Sequence, residues 1–160
     1  MSITAVVQSK VTLTETLTND DLIADSQLVH SGYDQNTTLS GSTSPDITKA
    51  AYQTIALVAG AKTIDLTALL LNGNAVTLDG LNPRAIHLKN TGAAAMTIVA
   101  GASNGYTGLG ALFSVTLPPD AGFLMDWPLD NATAVSATVK TLDVTGTGTD
   151  TLQLSILAGT

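Results

Sequence analysis

The sequence predicts an all-β fold: an antiparallel β-sandwich, jelly-roll-like, with a partly irregular N-terminal arm. Three observations predict it. Threonine occurs 25 times in 160 residues, and a β-branched side chain suits a pleated, half-exposed surface. Apolar and polar residues alternate with period two in several short runs. Clusters of turn-forming residues separate those runs at close intervals, as in sandwiches and barrels.

Taken in order, the first run is "VTLTETLT", which sets Val11, Leu13, Glu15 and Leu17 against Thr12, Thr14, Thr16 and Thr18. The segment around it, residues 1–44, is polar and carries Glu15, Asp20, Asp21, Asp25 and Asp34 against the single base Lys10. It reads as a first strand followed by a long arm, and residues 45–160 read as the sandwich core of what is one domain overall. "SPDITKAAYQT" and "LTALLLNG" each admit a turn of helix. "YQTIALV" and "KTIDLT" read equally well as two strands joined by "AGA". Further strands are expected in "AIHLKN", "MTIVA", "SVTL", "ATVKTLDV" and "TLQLSIL". The turn signals between runs are "NDD", "SGYDQN", "GSTSPD", "NGN", "DGLNP", "NTG", "PPDAG" and "TGTGTD". No longer period repeats, which argues against a solenoid or propeller.

Composition narrows the function classes. Net charge is −7, with only six Lys and Arg. Nucleic acid and anionic membranes both call for a basic footprint, so neither is expected as a partner. There is no cysteine, hence no disulfide, thiolate ligand or cysteine nucleophile. The start lacks a basic region followed by an apolar run, so no secretory signal is expected. Charged residues make up 12% of the chain, about half the usual share. A surface so poor in charge is expected of a chain that assembles into something larger.

Candidate chemistry is thin. Residues 90–119 hold no charge and include Gly92, Gly101, Gly105, Gly108 and Gly110. A phosphate loop needs GxxxxGK[ST] or GxGxxG, and neither is present. The glycines are read as a long connection, with Tyr106 either a lid over it or a residue facing a partner. His30 and His87 lie far apart in sequence and no nucleophile elbow accompanies them; two histidines without cysteines also fall short of a zinc ligand set. The "NDD" and "DVTGTGTD" carboxylates lack the EF-hand pattern and are read as turn formers. Trp127 follows the "PPDAGFLMDW" turn and is either a core plug or an exposed anchor. No catalytic, cofactor-binding or metal-binding residue and no cofactor is assigned.

The runs "TIDLTAL", "AIHLKNTGAAAMTIVAGASNGYTGLG", "FSVTLPPDAGFLMDW" and "KTLDVTGTGTDTLQLSILAG" resemble those of head decoration, or cement, proteins and other accessory β-sandwich proteins of tailed-phage particles. The resemblance spans residues 64–159. It implies no enzyme activity, a homo-oligomer, a trimer above all, and binding to the major capsid protein on the outside of a virion made in a bacterial cytoplasm. Tyr33, Tyr106, Leu109 and Trp127 are the candidate oligomer or capsid contacts, and a charge at Tyr106 or Leu109 is expected to break assembly without unfolding the chain. Two other classes compete. One is a receptor- or glycan-binding module of a fibre or adhesin, with Tyr33, Tyr106 or Trp127 as stacking platforms. The other is a β-sandwich hydrolase, which would need convergent carboxylates in a cleft.

Overall fold

The computed structural model describes residues 3–17, 26–40, 46–127 and 132–160, with side chains described for all of these except 12–17 and 26–35. The chain divides into two compact units, Ala5–Thr38 and Leu39–Thr160 together with Met1–Thr4. The smaller unit is built from β1 (Thr4–Leu17) and β2 (Ser26–Ser40), which pair as a two-stranded sheet. Alternation marks β1 in the sequence. It does not mark β2, whose "SGYDQNTT" reads as a turn cluster. The arm is therefore richer in strand than the sequence indicates.

The larger unit holds ten strands in two sheets. They are β3 (Lys49–Ala56), β4 (Ala61–Asp65), β5 (Leu69–Leu71), β6 (Asn74–Val76), β7 (Asn82–Asn90), β8 (Met96–Ala100), β9 (Ser114–Leu117), β10 (Gly122–Asp126), β11 (Thr141–Thr145) and β12 (Thr151–Gly159). One sheet has the order β10-β7-β12-β3-β5-β6 and the other β4-β11-β8-β9. With the short β5–β6 hairpin set aside, eight strands remain. First pairs with last, and third with sixth and last, in one sheet; second, seventh, fourth and fifth make up the other. This is the connectivity of an eight-stranded jelly roll. Among the described residues, the pairings between these ten strands are antiparallel except the contact of Tyr52 with Leu71 between β3 and β5.

The period-two reading explains why the helical alternatives give way to strand. In β3, Ala51 and Ile55 are buried while Tyr52 and Thr54 are exposed. Ala51, Gln53 and Ile55 form the inner set and Tyr52, Thr54 and Ala56 the outer set, a period of two that a strand gives and a helix does not. "LTALLLNG" forms β5 and then a two-residue turn, with Asn72 and Gly73 both at positive φ, the conformation a tight hairpin requires. The β3–β4 connection does the same with Ala59 and Gly60, closed by reciprocal backbone bonds between Val58 and Ala61. The core is a single apolar cluster. Leu66, Leu69, Leu78, Ile86, Leu88, Ile98, Leu142, Leu152 and Leu154 are wholly buried in it. Among the described residues no helix is long and apolar enough to cross a membrane.

Candidate functional site

The charge-free stretch is the first place to look. It runs from the end of β7 through β8, a loop, a 3-10 turn at Thr107–Leu109, and β9. The loop is sewn onto β11 by backbone bonds. Gly101 N and Tyr106 N both donate to Thr141 O, at 2.9 and 2.8 Å, while Lys140 N and Thr141 N donate to Asn104 O. Ala102 N donates to the Asp143 carboxylate at 2.8 Å. The Tyr106 ring is fully buried in the core and its hydroxyl donates to Thr133 O at 2.9 Å. Burial pushes its phenol well above the ordinary range. A Cβ on Gly108 would collide with that phenol, so glycine there is required by close packing.

These facts correct two of the four candidate contacts. Tyr106 and Leu109 are core residues, at 0% and 8% exposure, and neither presents a surface to a partner of the folded chain. Tyr106 is neither a lid over the loop nor a residue facing a partner: its ring is buried in the core beneath the loop that carries it. The exposed large apolar residue of the stretch is Leu112, at 97%, a position not among the four candidates. Trp127 is half-buried against the core, and its backbone N–H donates to Arg84 O at 2.8 Å. Tyr33 lies on β2, with its side chain outside the described residues.

The other candidates are scattered. His87 is exposed on β7, opposite Leu124 on one neighbour and Ser155 on the other. The side chain of His30 and the "NDD" carboxylates lie outside the described residues. Asp143 and Asp150 spend their oxygens on the fold. Asp143 accepts from the Thr63 hydroxyl at 2.6 Å and from Ala102 N, and Asp150 accepts from Ala93 N and Ala94 N. Among the described residues no three His, Asp or Glu side chains converge on a possible metal position.

Some structural polar residues gave no functional signal in the sequence. Asn90 is fully buried; its amide donates to Ala94 O and Leu117 O and its oxygen accepts from Gly92 N. Its place in "KNTG", at the end of a strand, was the available hint. Arg84 is also fully buried. It donates to Thr160 O and to Asp46 O, and the Asp46 carboxylate in turn accepts from Thr160 N at 3.0 Å. An arginine after a proline at the start of a strand carries no sequence mark of such a role.

Two surfaces stand out once the side chains are placed. The first is the outer face of the four-stranded sheet. Ile64, Leu142, Val144, Met96 and Ile98 turn inward. Their alternates face out: Ala61, Thr63, Asp65, Thr97, Val99, Ser114, Thr116, Asp143 and Thr145. The hydroxyls pair with one another (Thr97 with Thr116, 2.9 Å) or with Asp143. Asp65 at the edge is engaged by Lys140 at 2.7 Å. The face therefore carries one ion pair and one carboxylate, Asp143, that is bonded by neutral donors alone. The second is a groove of about 490 Å³ between the two sheets, lined by Gln53, Thr54, Ile55 and Ala56 of β3, by Lys62, Thr63, Ile64 and Asp65 of β4, and by Ala68 and Leu70. Desolvation pushes the Asp65 carboxyl up, but hydrogen bonds from Lys140 and from the Thr67 hydroxyl and amide outweigh it and hold it below the ordinary range.

No protein-family model matches the chain, and neither a curated protein nor a solved structure matches it.

Proposed function

We propose that the protein is a non-enzymatic structural component of a virion, a decoration or cement protein that binds the outside of a tailed-phage head and stabilises it. One observation carries the reading: a broad sheet face of hydroxyls and small apolar groups with few charges, on a jelly roll. Burying such a face requires little desolvation of charge, and jelly rolls are a recurrent scaffold of capsid and lectin domains. The tip around Leu112 adds an apolar side chain at 97% exposure, which would contribute up to about 2 kcal/mol if a partner covered it fully.

The mechanism is thermodynamic. A protein that binds the assembled shell and not its loosened state stabilises the shell by mass action. Many equivalent copies, each bridging neighbouring shell subunits, add avidity. The test is co-sedimentation of the purified chain with heads of the encoding phage that lack it. Saturable binding, raised heat resistance of the heads, and indifference to excess free sugar are expected. Failure to bind heads overturns the reading, and binding abolished by a simple sugar moves the protein to the glycan-recognition class.

A further inference from the structure

The groove between the sheets has a property that its lining residues alone do not reveal. In an antiparallel ladder, alternate residues turn their N–H and C=O to opposite sides. Leu66 N donates to Lys140 O, and Gly101 N donates to Thr141 O on the far side of β11. With the register Thr63↔Asp143 and Ile64↔Leu142, the β11 ladder uses the backbone of Lys62 and Ile64. The N–H and C=O of Thr63, and the N–H of Asp65, then point outward from the edge of the sheet. β3 behaves alike. Leu57 N donates to Asp150 O, so Ile55 and Gln53 bond β12, while Thr54 and Ala56 turn away from it. β5 reaches β3 only at Tyr52. Two open strand edges, one from each sheet, thus border the same groove.

One cation stands there. Lys62 shares its face of β4 with the buried Ile64 and makes no ion pair among the described residues. A lysine on an edge strand, exposed as Lys62 is, discourages pairing with neutral strands. It favours a strand that brings a carboxylate. The chain contains such a segment: residues 5–38 carry Glu15, Asp20, Asp21, Asp25 and Asp34 against Lys10. Their two-stranded sheet also falls short of the three strands that make a sheet independently stable.

We propose that the outer edge of β4 is a strand-addition site, occupied by the acidic N-terminal segment of a second copy of this chain. Backbone bonds to Thr63 supply affinity, and Lys62 selects for acidity. This deepens the homo-oligomer part of the reading above and is separable from shell binding.

The experiment uses sedimentation velocity on the full chain over a concentration series, at about 0.05 M and about 0.5 M salt. The parent is expected to self-associate, more weakly at high salt. Thr63→Pro removes the outward N–H and spares the backbone bonds to β11, losing there only the Thr63 hydroxyl's bond to Asp143. It should weaken association about tenfold or more with an unchanged circular dichroism spectrum, whereas Thr63→Val, which loses that hydroxyl and keeps the N–H, should associate as the parent does. Lys62→Glu, which leaves the backbone intact should Thr63→Pro not fold, should weaken association and reverse its salt dependence. A synthetic peptide of residues 12–21 should compete with self-association of the parent, and the same peptide with Glu15, Asp20 and Asp21 replaced by Gln and Asn should not. A monomeric parent overturns the proposal, as does Lys62→Glu associating like the parent. Head co-sedimentation of Lys62→Glu reports on the virion reading independently: retained head binding with lost self-association separates the two.

Discussion

The charge-free stretch and the β3–β4 groove make opposite cases. Residues 90–119 have no charge, and in the sequence that looks like a surface hidden by a partner. The structure packs its large apolar side chains within the chain, Leu112 excepted, and leaves mainly small and hydroxyl-bearing residues outside. Tyr106 fills the core, Asn90 satisfies two carbonyls, and the 101–106 loop is bonded to β11 and Asp143. The groove has an ordinary sequence, "QTIA" and "KTID", with charges of both signs. Yet there the backbone is left open. Side-chain charge and backbone satisfaction are separate quantities, and a sequence displays only the first.

The largest expected effect tests the first half of that comparison. Tyr106→Asp would bury an unpaired carboxylate and remove an aromatic from the core, and about 4 kcal/mol or more of stability should be lost. Tyr106→Phe removes only the bond to Thr133 O and should cost about 1 kcal/mol. Urea titration of both variants measures this. A Tyr106→Asp variant that melts like the parent but assembles poorly would return Tyr106 to the role of a surface contact.

What could be read from sequence, and what could not, follows the same division. Strand positions were legible because period-two alternation is a property of side chains: "SVTL" and "MTIVA" coincide with β9 and β8 to the residue. The jelly-roll class followed from many such runs and their turns. β2 was illegible because its polar residues do not alternate. The site was read poorly. Tyr106 and Leu109 are indistinguishable by composition from exposed loop residues; what buries them is a set of backbone bonds to Thr141, from a strand some thirty positions away. The open edge at Thr63 depends on the parity of hydrogen bonding between β4 and β11, and nothing in "AKTID" fixes that parity.

A middle-sized effect sharpens the second half. Asp65 closes the outer side of the groove through Lys140, its carboxyl held below the ordinary range. A carboxylate whose folded pKa is depressed contributes stability that is fully present above its unfolded value of about 3.9 and is lost as pH falls through the folded value. Stability should therefore decline below about pH 4, and Asp65→Asn should show a shallower decline between about pH 5 and about pH 2. The carboxylate is about one-third exposed, so solvent screening holds the difference below about 1 kcal/mol. Thermal melts across that range decide it. Identical pH profiles for parent and variant would mean that the Lys140 bond does not hold the groove's wall.

The smallest effect on stability returns to the charge-free stretch at its large exposed apolar side chain. Leu112 is 97% exposed, so in the folded chain it contributes almost nothing, and Leu112→Lys should change the melting free energy by no more than about 0.5 kcal/mol. The same substitution puts a charge into a stretch that otherwise has none. If the tip is covered when the protein sits on a head, the lysine must be desolvated there and the leucine's burial is lost. Head binding should then weaken about tenfold, a difference of about 1.4 kcal/mol. Self-association through β4 should be untouched, because Leu112 lies outside the groove lining. Co-sedimentation with heads and sedimentation velocity, run on the one variant, separate these outcomes. If Leu112→Lys binds heads as the parent does, the tip is free surface. The absence of charge in residues 90–119 then owes nothing to a partner at Leu112, and the chain's own packing explains it only for the buried positions such as Asn90, Tyr106 and Leu109.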